Sequence, residues 1–356
     1  MHHFHFDLAK QDVEAAVRVG LSVGLPLWAI YAVDRLDLAV YAAFGALASL
    51  YGHSEVKRRR LETQIVASLA LIATIAVAAV FAAAHGPAWL LGVLLVLTVV
   101  GIGSLGAILG WTPRGEIFFV LALLVITGLP TRWEAVPVAV LVGAGGAAVC
   151  VLLTLLSRAD ADESQSTPGG LRGRAAAGVL VLDGYQHAVA IGAAALGALS
   201  AWLIALLLGI GHPFWAPVTV AALMPALMSP QVYQRMRSLI VGTMGGVATA
   251  AVLFSFEPSH ATLIGLIVFC QAAAELFVAK RYGLALLFIC PLAIGISNLS
   301  RGLPWPPLLF DRLAEACLGT VVAFLVTAAA RSVLAKSPKK DEPPNTGSAP
   351  LAASPE

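Results

Sequence analysis

A few charged and amide side chains fall inside otherwise apolar stretches, and these have the types and spacing that suit chemistry. Arg18 lies in EAAVRVGLSVG, with Glu14 one helical turn before it. It reads either as a snorkelling arginine with Glu14 as its i,i+4 partner, or as a fixed cation for a carboxylate. Gln271 and Glu275 stand in FCQAAAELFVAKR at i and i+4, on one helix face, with Lys280 and Arg281 shortly after. Glu275 reads either as an interfacial carboxylate paired to those cations, or as a proton-coupling group or gate ion pair. Arg235 and Arg237 open a glycine-rich apolar segment. They read as positive-inside residues, and also as cations that concentrate organic anions at an inner mouth. Asp311, Arg312 and Glu315 read as a helix-start charge group or as an outer vestibule. His53 and His187 read first as structural histidines, and His2, His3 and His5 have no partner cluster. No HExxH, GxSxG, Walker A or zinc spacing is present, so no enzymatic activity, cofactor or metal is expected.

The elements that must hold these residues are membrane helices. The chain has 356 residues, of which 59% are hydrophobic and 12% charged, with a mean hydropathy of +0.87. Water-soluble domains carry about 25% charged residues, and a deficit of this size has nowhere to hide except a bilayer. A net charge of +2 without a basic, aromatic-interleaved patch gives no reason to expect nucleic acid. Cys150, Cys270, Cys290 and Cys317 lie in apolar runs with no CxxC pair and read as small buried hydrophobes. No cleaved signal peptide is evident, and the first apolar segment reads as a signal-anchor.

Apolar runs of spanning length fall at roughly 13–33, 36–52, 61–84, 88–109, 116–130, 135–156, 184–209, 213–230, 237–256, 260–279, 282–299 and 308–330. The fold class is therefore all-α, a polytopic membrane protein of about twelve spans in two groups of six. Residues 1–156 form the first group and 184–335 the second. The stretch 157–183 reads as a cytoplasmic linker and 336–356 as a disordered cytoplasmic tail. With the N-terminus placed inside, 17 of the 22 Lys and Arg fall on the cytoplasmic side and 4, including Arg312, outside. Trp89, Trp133, Trp215 and Trp305 read as outer interfacial anchors, and Trp111 as an inner one. Segment 54–77 lies on 229–252 without a gap, pairing Ser54 with Ser229 and Arg60 with Arg235, and 135–151 lies on 311–327. Six spans per group puts both groups the same way up, a parallel repeat about an axis along the membrane normal.

One stretch carries a family likeness. A Trp215-bearing helix, the Arg235/Arg237 pair, then Arg–x4–Gly242–Thr243–x–x–Gly246 resembles the fusaric acid resistance family, within the aromatic acid exporters. Lys280-Arg281-Tyr282 resembles the start of that family's eleventh helix. Asp311-Arg312 with Glu315 and Gly319 resembles its last helix. The likeness covers most of 184–330; over 13–156 it rests on the repeat. Many bacterial members carry a large cytoplasmic domain where this chain has only 157–183. The resemblance implies a bacterial inner-membrane exporter of aromatic or related organic acids, with kinship to plant malate channels.

The expected function is export of small organic anions, aromatic carboxylates first, driven by the proton or electrochemical gradient. The expected binding residues are Arg18, Gln271, Glu275, Arg235 and Arg237, and the expected packing residues are Trp215, Gly242, Thr243, Gly246 and Gly319. The expected partners are an organic acid, the lipid bilayer and a further copy of the chain; both termini should be cytoplasmic. An anion channel of the same fold and a non-transporting envelope assembly protein are the alternatives.

Overall fold

The computed structural model describes residues 10–53, 55–113, 115–157, 170–278 and 280–336. His2, His3, His5, Ser54, Arg114, Arg158 and the tail from 337 lie outside the described residues. Among those residues the protein has thirteen α-helices and no strand. The first group comprises α1 (Lys10–Ala32), α2 (Ala39–Ala46), α3 (Lys57–Ala83), α4 (Ala88–Leu109), α5 (Ile117–Thr127) and α6 (Val136–Leu156). After α7 (Gly170–Val181) come α8 (Gly184–Leu207), α9 (Trp215–Leu223), α10 (Val232–Phe254), α11 (His260–Val278), α12 (Tyr282–Leu299) and α13 (Trp305–Ala335). The stretch expected to be wholly linker thus contains a helix, α7.

Among the described residues nine helices are long and apolar enough to cross a membrane. The other three expected spans are shorter apolar helices at Leu36–Leu50, Ile117–Thr127 and Trp215–Ala226. Local sequence explains the shortness of α9. Pro217 falls in its first turn, where no intrahelical N–H is required, and Pro225 ends α-helical bonding, so the last turn is a 3-10 helix, Met224–Ala226. The N-cap of α8 is Asp183, which accepts from the Tyr185 and Gln186 N–H groups at 3.0 and 3.1 Å.

The short helices sit in the middle. Every residue of α2 is buried, most of α5 and α9 are, and α12 is the most buried of the long helices. Helix α5 packs on α9 and α2 on α12, and the longer helices surround these four. The two groups meet along α1–α11 and α4–α8. Within each group the neighbours recur: α2 packs on α6 as α9 does on α13, α3 on α6 as α10 on α13, and α3 on α5 as α10 on α12.

The basic turns gather on one face. Lys280, between α11 and α12, pairs with Asp12 at the start of α1 at 2.5 Å. Lys57 at the start of α3 donates to the Leu155 and Ser157 carbonyls at the end of α6. Arg331 near the end of α13 donates to the Leu227 and Ser229 carbonyls before α10. On this face α7 is fixed by Arg174, which donates to Thr63 Oγ1 (3.0 Å) and the Leu109 carbonyl (2.9 Å), with Glu55 3.5 Å away. Burial pulls the Arg174 guanidinium below its usual range, and Glu55 pulls it back up.

Glycine does the close packing the sequence suggested. A Cβ on Gly242 would meet the Gly283 carbonyl at 2.6 Å, and one on Gly246 would collide with the Leu286 carbonyl, so both hold α10 against α12. Gly319 does the same for α13 against the Ala216 carbonyl of α9. Thr243 is buried beside them. Two expected anchors are not at the interface. Trp111 is fully buried against Tyr51 and Phe119, and Trp215 is 2% exposed. Trp89 and Trp133 are exposed. Of the cysteines, Cys317 faces outward, contrary to expectation, because it lies on the outer side of α13.

Candidate functional site

Between the two groups lies a cavity of about 190 Å³. Its first-group wall comes from Leu47, Leu50 and His53 after α2, and from Ile117, Phe118 and Leu121 of α5. The second group supplies α9 (Trp215, Thr219), α10 (Arg235), α11 (Gln271, Glu275), α12 (Tyr282, Leu286, Ile289) and α13 (Arg312). Most of this wall is apolar, and the few polar atoms on it converge.

Arg312 is 5% exposed and lies two turns into α13. Its guanidinium carbon is 4.6 Å from the centre of the Trp215 ring. Its Nε and Nη1 find no hydrogen-bond partner among the described residues. Glu315, one turn on, is bonded to α9 through Oε2, which accepts the Ala216 N–H at 2.9 Å, and its Oε1 is buried without a hydrogen-bond partner. That bond satisfies one of the free N–H groups at the start of α9. Trp215 Nε1, Thr219 Oγ1, Arg235 Nε and Gln271 Oε1 are likewise buried and unpartnered. Buried polar groups are almost always hydrogen-bonded, so a set of unsatisfied ones on one cavity wall marks a place for a ligand or water. With two guanidinium groups among them, the chemistry is that of an anion site with flat apolar walls.

A carboxylate stands at another corner. Glu275 Oε1 is 3.8 Å from His53 Nδ1, across the boundary between the groups, and the charges of His53 and Arg18 both act on it. His53 Nδ1 is also 3.3 Å from the Leu50 carbonyl. Gln271 and Glu275 share the cavity face, as their spacing implied. Arg18, on α1, acts on Glu275 through its charge and does not line the cavity.

Arg235 stands at one end of the cavity, stacked on Tyr282. Its guanidinium carbon stands 4.3 Å over the Tyr282 ring. Both residues also line a second space, a groove of about 860 Å³ between α10 and α12. Arg237 lines only the groove. The sequence reads Arg312 as an outer charge, in a helix-start group or an outer vestibule, and Trp215 as an interfacial anchor and packing residue, and so does not bring the two together on the cavity wall. The signal for Arg312 was its i,i+3 spacing from Glu315 inside an apolar run. His187 Nε2 lies 3.0 Å from Ser104 Oγ and does not line the cavity. Among the described residues no group of three or more His, Cys, Asp or Glu is placed to hold a metal ion.

Fold and cavity together define a multi-pass helical membrane protein with a buried cationic site at its centre. Residues 200–326 match the protein family described as fusaric acid resistance protein-like. The matched stretch holds every cavity cation together with Trp215, Gln271, Glu275 and Gly319. Over 126 residues, 35% of the chain, it is 26% identical to the "Uncharacterized membrane protein YvaC" of Bacillus subtilis (strain 168). That match spans only 20% of the relative's length. No solved structure matches the chain.

Proposed function

We propose that this protein carries small organic anions, aromatic carboxylates foremost, across the bacterial inner membrane through the central cavity. The observation that carries this reading is Arg312: a buried guanidinium 4.6 Å from the centre of the Trp215 ring, on the wall of a mostly apolar space, with Nε and Nη1 lacking a hydrogen-bond partner among the described residues. A carboxylate would take those N–H groups, while its ring would lie against Trp215 and Phe118. At about 190 Å³ the cavity is smaller than the roughly 300–1,000 Å³ of pockets for drug-sized ligands, which favours small acids. Two further features support the reading. The matched family is described by resistance to fusaric acid, and the recurring helix neighbours fit two parallel six-helix halves with a site at their junction. The gathering of basic turns on one face fits a cytoplasmic placement of both termini. Glu275, facing His53 between the halves, is placed to take and release the proton that would couple export to the gradient. No residue of the cavity is asked to make or break a covalent bond in the substrate.

The test is transport by the purified chain in proteoliposomes. Radiolabelled benzoate or salicylate should move with saturation and with acceleration by an imposed pH gradient, and Arg312→Ala should abolish the movement. Large unsaturable voltage-driven currents would replace the carrier with a channel. Absence of flux for a panel of aromatic and aliphatic acids would remove the transport reading.

A further inference from the structure

Helix α7 lines neither the cavity nor the groove, yet it is fixed to the bundle along one side. Gly170 lies against Glu62 of α3, and Arg174 bonds Thr63 and the Leu109 carbonyl. Gly178 crosses α4 so closely that a Cβ would collide with the Ile108 carbonyl. Positions 170, 174 and 178 share one helix face, so these contacts set the roll of the helix. They leave the last turn bare. Val179 is 60% exposed, and Leu180 and Val181 are each 86% exposed. Three consecutive apolar side chains in water are what a surface helix avoids. The sequence between α6 and α7, 158–169, holds no large apolar residue that could cover them. The place of this turn supplies the cover. Ile108 is the last residue but one of α4, a spanning helix, so Gly178 crosses at the end of a span. Only Leu182 and Asp183 separate α7 from α8, which also spans. Asp183 is exposed and caps α8, and a charge there keeps that point at the headgroups. Leu180 is three residues away, within about 11 Å along the chain. The flank of α4 and α8 is itself apolar and exposed, at Val93, Leu97, Leu196 and Leu203.

We propose that the last turn of α7 is sunk in the leaflet on the basic face, with Val179, Leu180 and Val181 among the acyl chains just below the headgroups. Arg172, exposed on the first turn, stays on the water side. An interfacial helix buries its apolar side by about 5–10 Å, which matches the reach from Asp183 to Leu180. The occupant is lipid because the patch begins at the headgroup level and continues the exposed flank of α4 and α8. A soluble partner would have to share that flank with the bilayer. The inference stands on the surface of α7 and not on the transport reading. Its consequence for the cavity runs through Arg174 and Glu55: the membrane holds the turn between α2 and α3, two residues from His53 on the cavity wall.

The experiment is spin-label accessibility of the full chain in proteoliposomes. The native cysteines are replaced by alanine, and a nitroxide is attached in turn to Arg172→Cys, Leu180→Cys and Val181→Cys. Oxygen, which concentrates in hydrocarbon, should relax the labels at 180 and 181 several-fold more strongly than a water-soluble nickel chelate. At 172 the order should reverse. A chelate more effective than oxygen at 180 and 181 overturns the proposal, because the turn then lies in water. Weak collision with both reagents at 180 and 181 also overturns it, because protein then covers the turn, as a separate partner or a second copy. A second measurement needs no substitution. In the unmodified chain, a phospholipid carrying a photoreactive diazirine on its acyl chain should attach to Val179, Leu180 or Val181. Attachment to α4 and α8 with none on these three residues overturns the proposal as well.

Discussion

The Arg312 guanidinium lies 4.6 Å from the centre of the Trp215 ring, one contributed by α13 and the other by the first residue of α9. A cation on an indole face gains about 0.5–2 kcal/mol, more where water is excluded, but that gain does not satisfy the guanidinium's N–H groups. Nε and Nη1 remain for an anion. Arg312→Ala should therefore weaken binding of an aromatic carboxylate by about 2–5 kcal/mol, thirtyfold or more. Arg312→Lys should not restore it, because an ammonium lacks the planar fork. Titration of the detergent-purified chain with benzoate, read by calorimetry, checks both. Unaltered affinity in Arg312→Ala would remove this residue from the site.

The Arg235–Tyr282 stack is the boundary between groove and cavity, since both residues line both spaces. A desolvated stack of this kind is worth about 2 kcal/mol. Tyr282→Ala should then raise access to the cavity by up to about thirtyfold. In a cysteine-free background, Ala274→Cys on the cavity wall should react faster with a water-soluble maleimide once Tyr282 is truncated. An equal rate in both backgrounds would show that the barrier lies elsewhere.

Glu315 holds the buried start of α9 by accepting the Ala216 N–H at 2.9 Å. Glu315→Ala leaves that N–H without a partner in a place water does not reach, at a cost of about 1–3 kcal/mol. Glu315→Gln keeps an acceptor and should cost less. Thermal unfolding in detergent should rank wild type, Gln and Ala in that order, and an Ala variant as stable as Gln would show that the bond is unimportant.

The nine long helices were legible in the sequence because about twenty apolar residues in a row have one physical meaning, whereas three of the twelve expected spans are shorter helices. So were the glycines at 242, 246 and 319, because close helix approach requires small residues wherever it occurs. Arg312 and Trp215 were not. The sequence places Arg312 just after Trp305 and two prolines, which reads as the charged start of a helix at the outer side, yet α13 begins at Trp305 and Arg312 is two turns in and buried. Trp215 reads as an anchor if its span is full length, yet α9 has nine residues and begins inside the bundle. Both positions depend on which helix stands opposite, a long-range fact that no window reveals. The repeat shows the same limit. Arg60 and Arg235 match in the alignment, but Arg60 is turned to the Glu55 carbonyl and Ser157 Oγ, while Arg235 is at the cavity.

Arg174 ties α7 to the bundle through Thr63, the Leu109 carbonyl and Glu55. Its side chain is 4% exposed and that of Glu55 8%, so this is a buried pair. Removing one member of such a pair costs about 3–5 kcal/mol, because the other is left buried and undercompensated. Glu55 keeps Arg59 at 3.4 Å, which places Arg174→Ala at the lower end. In the double variant with Glu55→Ala the loss should be smaller than the sum of the two single losses. Additive losses would mean that the two charges act independently.

Glu275 faces His53 at 3.8 Å across the line where the two helix groups meet, and the Arg18 charge acts on it as well. Any relative movement of the groups changes the distance between carboxylate and imidazole, and with it the cost of holding a negative charge there. On the proposed transport reading, a carboxylate so placed would gain or lose a proton as the cavity opened to one side or the other. Gln in its place keeps the shape and the hydrogen-bonding capacity but cannot exchange a proton. Glu275→Gln should therefore retain carboxylate binding, which belongs to Arg312, and lose the acceleration that an imposed pH gradient gives to transport in proteoliposomes. Downhill exchange of labelled for unlabelled substrate should persist. If the Gln variant still accumulates substrate against its gradient, the proton passes through another residue.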